Sequence, residues 1–223
     1  MVINYSIKIS KRKSISIQIE KNGDVIVKAP KRVSKKFIND FIISKKDWVE
    51  KNVKKVLESR KNVKKEFKDG EIFMYLGSKI ELKLIDKKFK FVKFDEINFF
   101  ISKENSKNAK TLLYRFYRKK AKEVITDRVN FYVDKHNFKI NNLKISSAKT
   151  RWGSCSFKNN ININWKLIFA DTSIMDYVII HELSHTIEHN HSKNFWNFVE
   201  KIIPDYKEKR LWLKKNGGSL DFE

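Results

Sequence analysis

The sequence predicts an α+β fold: a β-rich region over residues 1–104 that carries one long helix, followed by a second, more helical domain over residues 105–223. Three observations lead there. Before residue 104, short runs alternate apolar with polar residues, as half-buried strands do. From about residue 106 the apolar positions recur at three- and four-residue intervals, the period of an amphipathic helix. Near the C-terminus two further helical segments follow one another, the second stopped by Pro204.

Ile7 and Ile9, then Ile15, Ile17 and Ile19, alternate with polar residues, and Asn22-Gly23-Asp24 supplies a turn before Val25-Ile26-Val27, so residues 2–29 read as an antiparallel hairpin region. Pro30 closes it. Ser34 is placed to cap a helix that carries Phe37, Ile38, Phe41, Ile42, Trp48, Val49 and Val53 at helical spacing and runs to about residue 60. Beyond Asp69-Gly70, short strands are expected within 71–77, 79–85, 89–94 and 97–102. Leu112, Leu113, Phe116, Ala121, Val124, Ile125, Val129 and Val133 mark one helix ending near Asn137. Two extended pieces, 143–150 and 161–170, flank the run Arg151-Trp152-Gly153-Ser154-Cys155-Ser156; in the second, Ile161, Ile163 and Trp165 share a face. Helices over about 173–189 and 192–203 and a short basic helix complete the chain.

Of 223 residues, 41% are hydrophobic and 13% aromatic, enough for a packed core. No apolar run is long enough to span a bilayer, and the opening MVINYSIKISKRK lacks the features of a secretory signal, so a cytoplasmic location without membrane contact is expected. The lone Cys155 excludes an internal disulfide and a multi-cysteine zinc site. A formal charge of +23 points to polyanions, but it is carried mostly by lysine, a point charge without the planar fork of arginine. That charge supports non-specific nucleic-acid contact and nothing more selective.

His181-Glu182-Leu183-Ser184-His185 is an HExxH pattern. Residues four apart on a helix are separated by about 40° around its axis, so both imidazoles can share one ion. Glu182 projects about 100° from His181, beside an ion rather than on it, where it can take a proton from water. Ile180, Leu183 and Ile187 supply an apolar backing. A catalytic zinc takes three protein ligands and keeps one position open. His191, beyond the expected helix end, is the preferred third ligand. His189 competes but lies too close to the helix to turn back easily, and Glu200 would serve in enzymes that use a carboxylate. His136 reads as an exposed helix-end residue.

These segments, together with Ile161-Asn162-Ile163-Asn164-Trp165, Tyr177-Val178-Ile179-Ile180 before the motif, Asn190-His191-Ser192, Phe195-Trp196, the Val27-Lys28-Ala29-Pro30 hairpin end and Tyr75-Leu76-Gly77, resemble the YgjP-like metallopeptidase family, related to the SprT and WLM zinc proteases. The resemblance covers nearly the whole chain. It departs at Ala170-Asp171, where the family has an Ala-Pro pair, and at His189, a variable position. It implies a zincin-like C-terminal domain, Zn2+ on His181, His185 and His191, and hydrolysis of a peptide or protein. The spacing also equals that of metzincins, but Glu188 stands where those have Gly, and no Met-turn follows.

Arg151 has two readings: it stabilises an oxyanion or orients a substrate carbonyl or carboxylate, or it pairs with an acid while Gly153 turns and Trp152 packs. Cys155, Phe195, Trp196, Phe198 and Tyr206 read mainly as packing residues. A peptide substrate could pair in extended form with the 161–165 strand or the strand flanking Arg151-Trp152-Gly153-Ser154. The competing class is a basic nucleic-acid-associated protein, with a structural zinc or with proteolysis directed at DNA-bound proteins; a fourth protein ligand would mark the structural case.

Overall fold

The computed structural model describes residues 3–20, 22–59 and 65–221, and the contacts of the chain divide into two compact units, 1–63 and 64–223. In the first, strands β1 (Tyr5–Ser10), β2 (Ser16–Ile19) and β3 (Val25–Pro30) form a sheet of order β1-β3-β2. The hairpin is β2–β3, whereas β1 runs parallel to β3 on its other side. Val25, Val27 and Ala29 alternate inward from β3. Ser34 caps α1 (Lys35–Ser44), its Oγ accepting from the Phe37 N–H at 3.2 Å. The expected single helix is two: Lys45 (φ −112°, ψ 15°) leaves helical geometry before α2 (Lys46–Ser59) begins. Ile38 and Ile42 of α1 pack on Val27 and Ala29.

The second unit opens with β4 (Ile72–Tyr75), β5 (Ser78–Ile85), β6 (Lys93–Phe94) and β7 (Asn98–Ser102), in the order β4-β5-β7-β6 with β5 and β7 parallel. Helix α3 (Ala109–His136) then buries Ala109, Leu113, Tyr117, Ala121, Ile125 and Val129, one residue every fourth, and ends where Asn137 adopts the left-handed region (φ 59°). Phe73, Leu82 and Phe99 of the sheet share one core with that stripe, and the buried Tyr117 donates to the Met74 carbonyl at 2.8 Å. This shared core is why the units part at 63/64, whereas the sequence reading places a boundary at 104/105.

Next come β8 (Asn142–Ser146), β9 (Gly153–Cys155) and β10 (Asn160–Asn164), in the order β8-β10-β9. β10 is central, parallel to β8 and antiparallel to β9. The extended piece expected over 161–170 turns into a 3-10 segment at Trp165, which keeps Ile161, Ile163 and Trp165 all buried. Asp171 caps α4 (Thr172–Ser184) by accepting from the Ser173 N–H at 2.8 Å. α5 (Lys193–Ile202) and α6 (Tyr206–Asn216) follow. Almost every residue of α4 from Ile174 to Ser184 is buried, so the helix is walled in by the rest of its unit. Arg128 of α3 clamps it through two hydrogen bonds to Asp176, at 2.7 and 2.6 Å. Among the described residues no helix is long and apolar enough to cross a membrane.

Candidate metal centre

Helix α4 ends sooner than its sequence suggests. His185 is its C-cap, and the chain then folds back on Leu183 and Ser184: the N–H groups of Thr186, Ile187 and Glu188 donate to those carbonyls at 3.0 to 3.1 Å. Ile180 and Leu183 are buried as the apolar backing, but Ile187 is 59% exposed, because it no longer belongs to the helix. The turn delivers His191 to the helix face. Asn190 Oδ1 accepts from the Ser192 N–H, and Ser192 Oγ accepts from the Phe195 N–H at 3.2 Å as the N-cap of α5.

His181, His185 and His191 thereby each present a ring nitrogen within 4.8 Å of the others. The Nε2 atoms of His181 and His191 face each other at 3.1 Å. Two nitrogens at about 2.0–2.1 Å from a tetrahedral ion stand roughly 3.3–3.4 Å apart, so this spacing suits ligands of one metal. His185 Nδ1 lies 3.0 Å from the Glu188 carbonyl, and donating there leaves Nε2 with its lone pair free. Burial, reinforced by the neighbouring His185 and His191 and by Arg210, pushes His181 down to about 3, and burial likewise lowers His191. Both are therefore neutral at physiological pH, the form that binds metal. His181 Nδ1 is buried without a hydrogen-bond partner. The donor set, three imidazoles each with a ring nitrogen in reach of the other two, fits a divalent metal.

The imidazoles stand against aromatic rings. Phe195 is fully buried with its ring 5.0, 4.5 and 4.9 Å from those of His181, His185 and His191, and Trp196 stacks on His191 at 5.5 Å. Tyr206, also buried, stacks on the other ring of that pair, Trp196, at 5.2 Å. Phe195 and Trp196, read from sequence as packing residues, thus pack on the three histidines and Tyr206 backs Trp196, whereas Phe198 packs on Phe138.

Glu182 is 7% exposed, and burial pushes its carboxyl up to about 8 despite the opposing charge of Arg151. Its side chain fills the space beside Gly153 of β9, where an added Cβ would lie 2.7 Å from Glu182 Cδ. The expected turn at Gly153 is thus a strand residue whose missing side chain makes room for Glu182. Trp152 packs as anticipated, against Gly217. Arg151 is exposed, and no ion pair of it is found among the described residues; its cation acts on Glu182 through space. A cavity of about 360 Å³ opens over Gly153, Ser154 and Cys155 on one side and the histidines with Glu182 on the other. His189 lines this cavity but is not one of the three clustered imidazoles. Glu200 pairs with Lys207 at 3.1 Å, and His136 stacks on Tyr132 at the end of α3, half-buried rather than exposed.

Comparison with known protein families gives a match to the YgjP-like metallopeptidase domain over residues 13–216. The chain belongs to this family. A YgjP-like domain is a metal-dependent hydrolase with a peptide or protein substrate, in keeping with the cluster on α4. Among solved structures, the domain is similar to the metallopeptidase zymogen of Pyrococcus abyssi abylysin, at 28% identity and a TM-score of 0.36 over 40% of this chain and 93% of that one. It is also similar to the zymogen of Methanocaldococcus jannaschii jannalysin, at 27% identity and a TM-score of 0.36 over 41% and 94% of the two chains. Comparison with curated proteins returns no match.

Proposed function

We propose that this YgjP-like domain is a zinc-dependent peptidase of zincin type, with His181, His185 and His191 as the ligands and Glu182 as the general base. The observation that carries the reading is the convergence of three imidazoles beside a buried carboxyl group in one cavity. An all-nitrogen set with no fourth His, Cys, Asp or Glu in the group among the described residues suits a catalytic zinc with an open position better than a structural one. When bound, such an ion lowers the pKa of water and polarises a carbonyl.

The chain's own residues do the rest. Glu182 takes a proton from the attacking water on its carboxylate and passes it to the departing amide nitrogen. A buried carboxyl whose pKa is raised holds that proton more readily than an exposed one would. Arg151 keeps positive charge near this carboxylate and is placed to favour its ionised form. Among the described residues β9 pairs with β10 and no other strand, and all three of its residues line the cavity, so a peptide laid along it gains backbone hydrogen bonds. The alternative docking strand, β10, is paired on both sides.

Zinc-loaded protein offered a peptide library is expected to cleave some members, and Glu182→Gln is expected to keep about one metal per chain while losing roughly 10²-fold or more of the rate. His191→Ala is expected to lose metal and His189→Ala to retain it. Undiminished cleavage by Glu182→Gln, or loss of its zinc, would remove Glu182 from the role of base.

A further inference from the structure

We propose that Phe157, at the tip of the β9–β10 hairpin, forms with His189 an aromatic subsite that selects a large apolar side chain of the substrate beside the scissile bond; this rests on the peptidase reading above. Phe157 is the most exposed large apolar residue described in the chain, at 87%. It is no stray surface residue, because it lines the cavity that holds the histidines and its ring sits 4.9 Å from that of His189.

The hairpin tip holds it there. Ser156 Oγ accepts from the N–H groups of Lys158 and Asn160 at 3.3 and 3.2 Å, and Asn159 takes the left-handed conformation (φ 55°) with its N–H on the Ser156 carbonyl at 2.8 Å. Asn159 is in turn tied to the β8 side of the sheet, its amide donating to the Lys139 carbonyl and its own carbonyl accepting from Asn141, both at 3.0 Å. Every one of these bonds orders the backbone around Phe157 and none buries its ring. A turn pinned this firmly presents an aromatic surface without a further cost of ordering its backbone on binding.

The placement matches the path of a peptide. β9 begins at Gly153 against Glu182 and leads in the direction of Phe157, which lies four residues on, within about 13 Å along an extended strand. A chain that crosses the cavity along β9 therefore passes from the base to the aromatic pair within a few residues of the bond to be cut. The two rings stand 4.9 Å apart and offer aromatic faces, so the matching side chain is aromatic or large aliphatic.

The test uses full-length, zinc-loaded Glu182→Gln protein and fluorescein-labelled decapeptides of alanine and serine, one without and the others with a single phenylalanine walked through each position; binding is read by anisotropy. Phenylalanine at one position is expected to tighten binding about tenfold. Adding Phe157→Ala should abolish that gain and leave the affinity of the phenylalanine-free peptide and the melting temperature unchanged, while Phe157→Leu should retain most of it. No favoured position, or a gain that survives Phe157→Ala, would overturn the subsite. Cleavage by the wild-type protein without preference at any position overturns the subsite and leaves the peptidase reading standing. A Phe157-dependent binding gain with no peptide cleaved counts against the peptidase reading and leaves Phe157 a peptide-binding residue, not a substrate subsite.

Discussion

A single methyl group at position 153 is the smallest change that reaches Glu182, the proposed base. Gly153 and Glu182 occupy one space, so Gly153→Ala must move either β9 or the carboxylate. Overpacking of this kind costs about 1–3 kcal/mol. The variant is expected to keep its zinc, melt at a lower temperature and lose peptidase activity by an order of magnitude or more, which melting curves, metal analysis and a cleavage assay check together. Unaltered cleavage by Gly153→Ala would show that the carboxylate relaxes without consequence. This pairing was not legible in the sequence, since 29 positions separate residues that meet only when β9 lies on α4, and a glycine in a short run reads first as a turn. The three histidines were legible for the opposite reason: their spacing along the chain maps directly onto the helix face and the turn after it. The Glu188 carbonyl that orients His185 carries no side-chain signature at all.

At the scale of elements, the centre depends on how α4 stops and α5 starts. Ser192 links the two events, following the third histidine directly and capping the helix that brings Phe195 beneath all three rings. Removal of an N-cap hydroxyl costs about 1 kcal/mol. Ser192→Ala is therefore expected to lower stability by that amount and to weaken zinc affinity, whereas Ser192→Asp, which also caps, should restore both; competition with a chromophoric chelator measures the affinity. A variant that loses stability but binds zinc as tightly as wild type would uncouple the cap from the centre. α3 was readable almost to the residue, because its periodicity is long and Asn137 ends it with a recognised stop. The strand orders were not, since alternation assigns a strand two faces but no neighbours, and β5–β7 and β8–β10 are parallel pairs formed across intervening chain. The run 89–94 shrinks to the two residues of β6, which sits at the edge of its sheet beside β7 among the described strands.

Across the whole molecule, a metal would join α4 to the segment ahead of α5 within the larger unit, adding a link that the unfolded chain lacks. A ligand that binds only the native state stabilises it by about 2.7 kcal/mol at a hundredfold excess over its Kd. Chelation is expected to lower the melting temperature of the full-length protein and re-addition of zinc to restore it, with His181→Ala insensitive to both treatments. Equal melting temperatures with and without chelator would place metal binding outside the stability of this unit. The sequence reading draws its boundary at 104/105, where strand alternation gives way to helical periodicity, whereas buried residues of the β4–β7 sheet share their core with α3. Burial on another element is a property of the folded chain that no local pattern carries.

The turn between α4 and His191 also governs how quickly an ion could leave. Two of the proposed ligands, His181 and His185, belong to a helix and its C-cap that are buried on nearly every side, while the third, His191, is exposed and follows a turn whose backbone bonds are made by residues 186–188. Release then begins with His191 swinging out, a local opening that needs no unfolding of α4. The rate of zinc transfer to an external chelator should accordingly track amide exchange of residues 186–191, and be far faster than exchange of the α4 amides; a transfer rate equal to that of α4 would make ion exchange a matter of global unfolding. Tight equilibrium binding and quick turnover of a metal would be compatible in such a centre, with affinity set by all three histidines and lifetime by one.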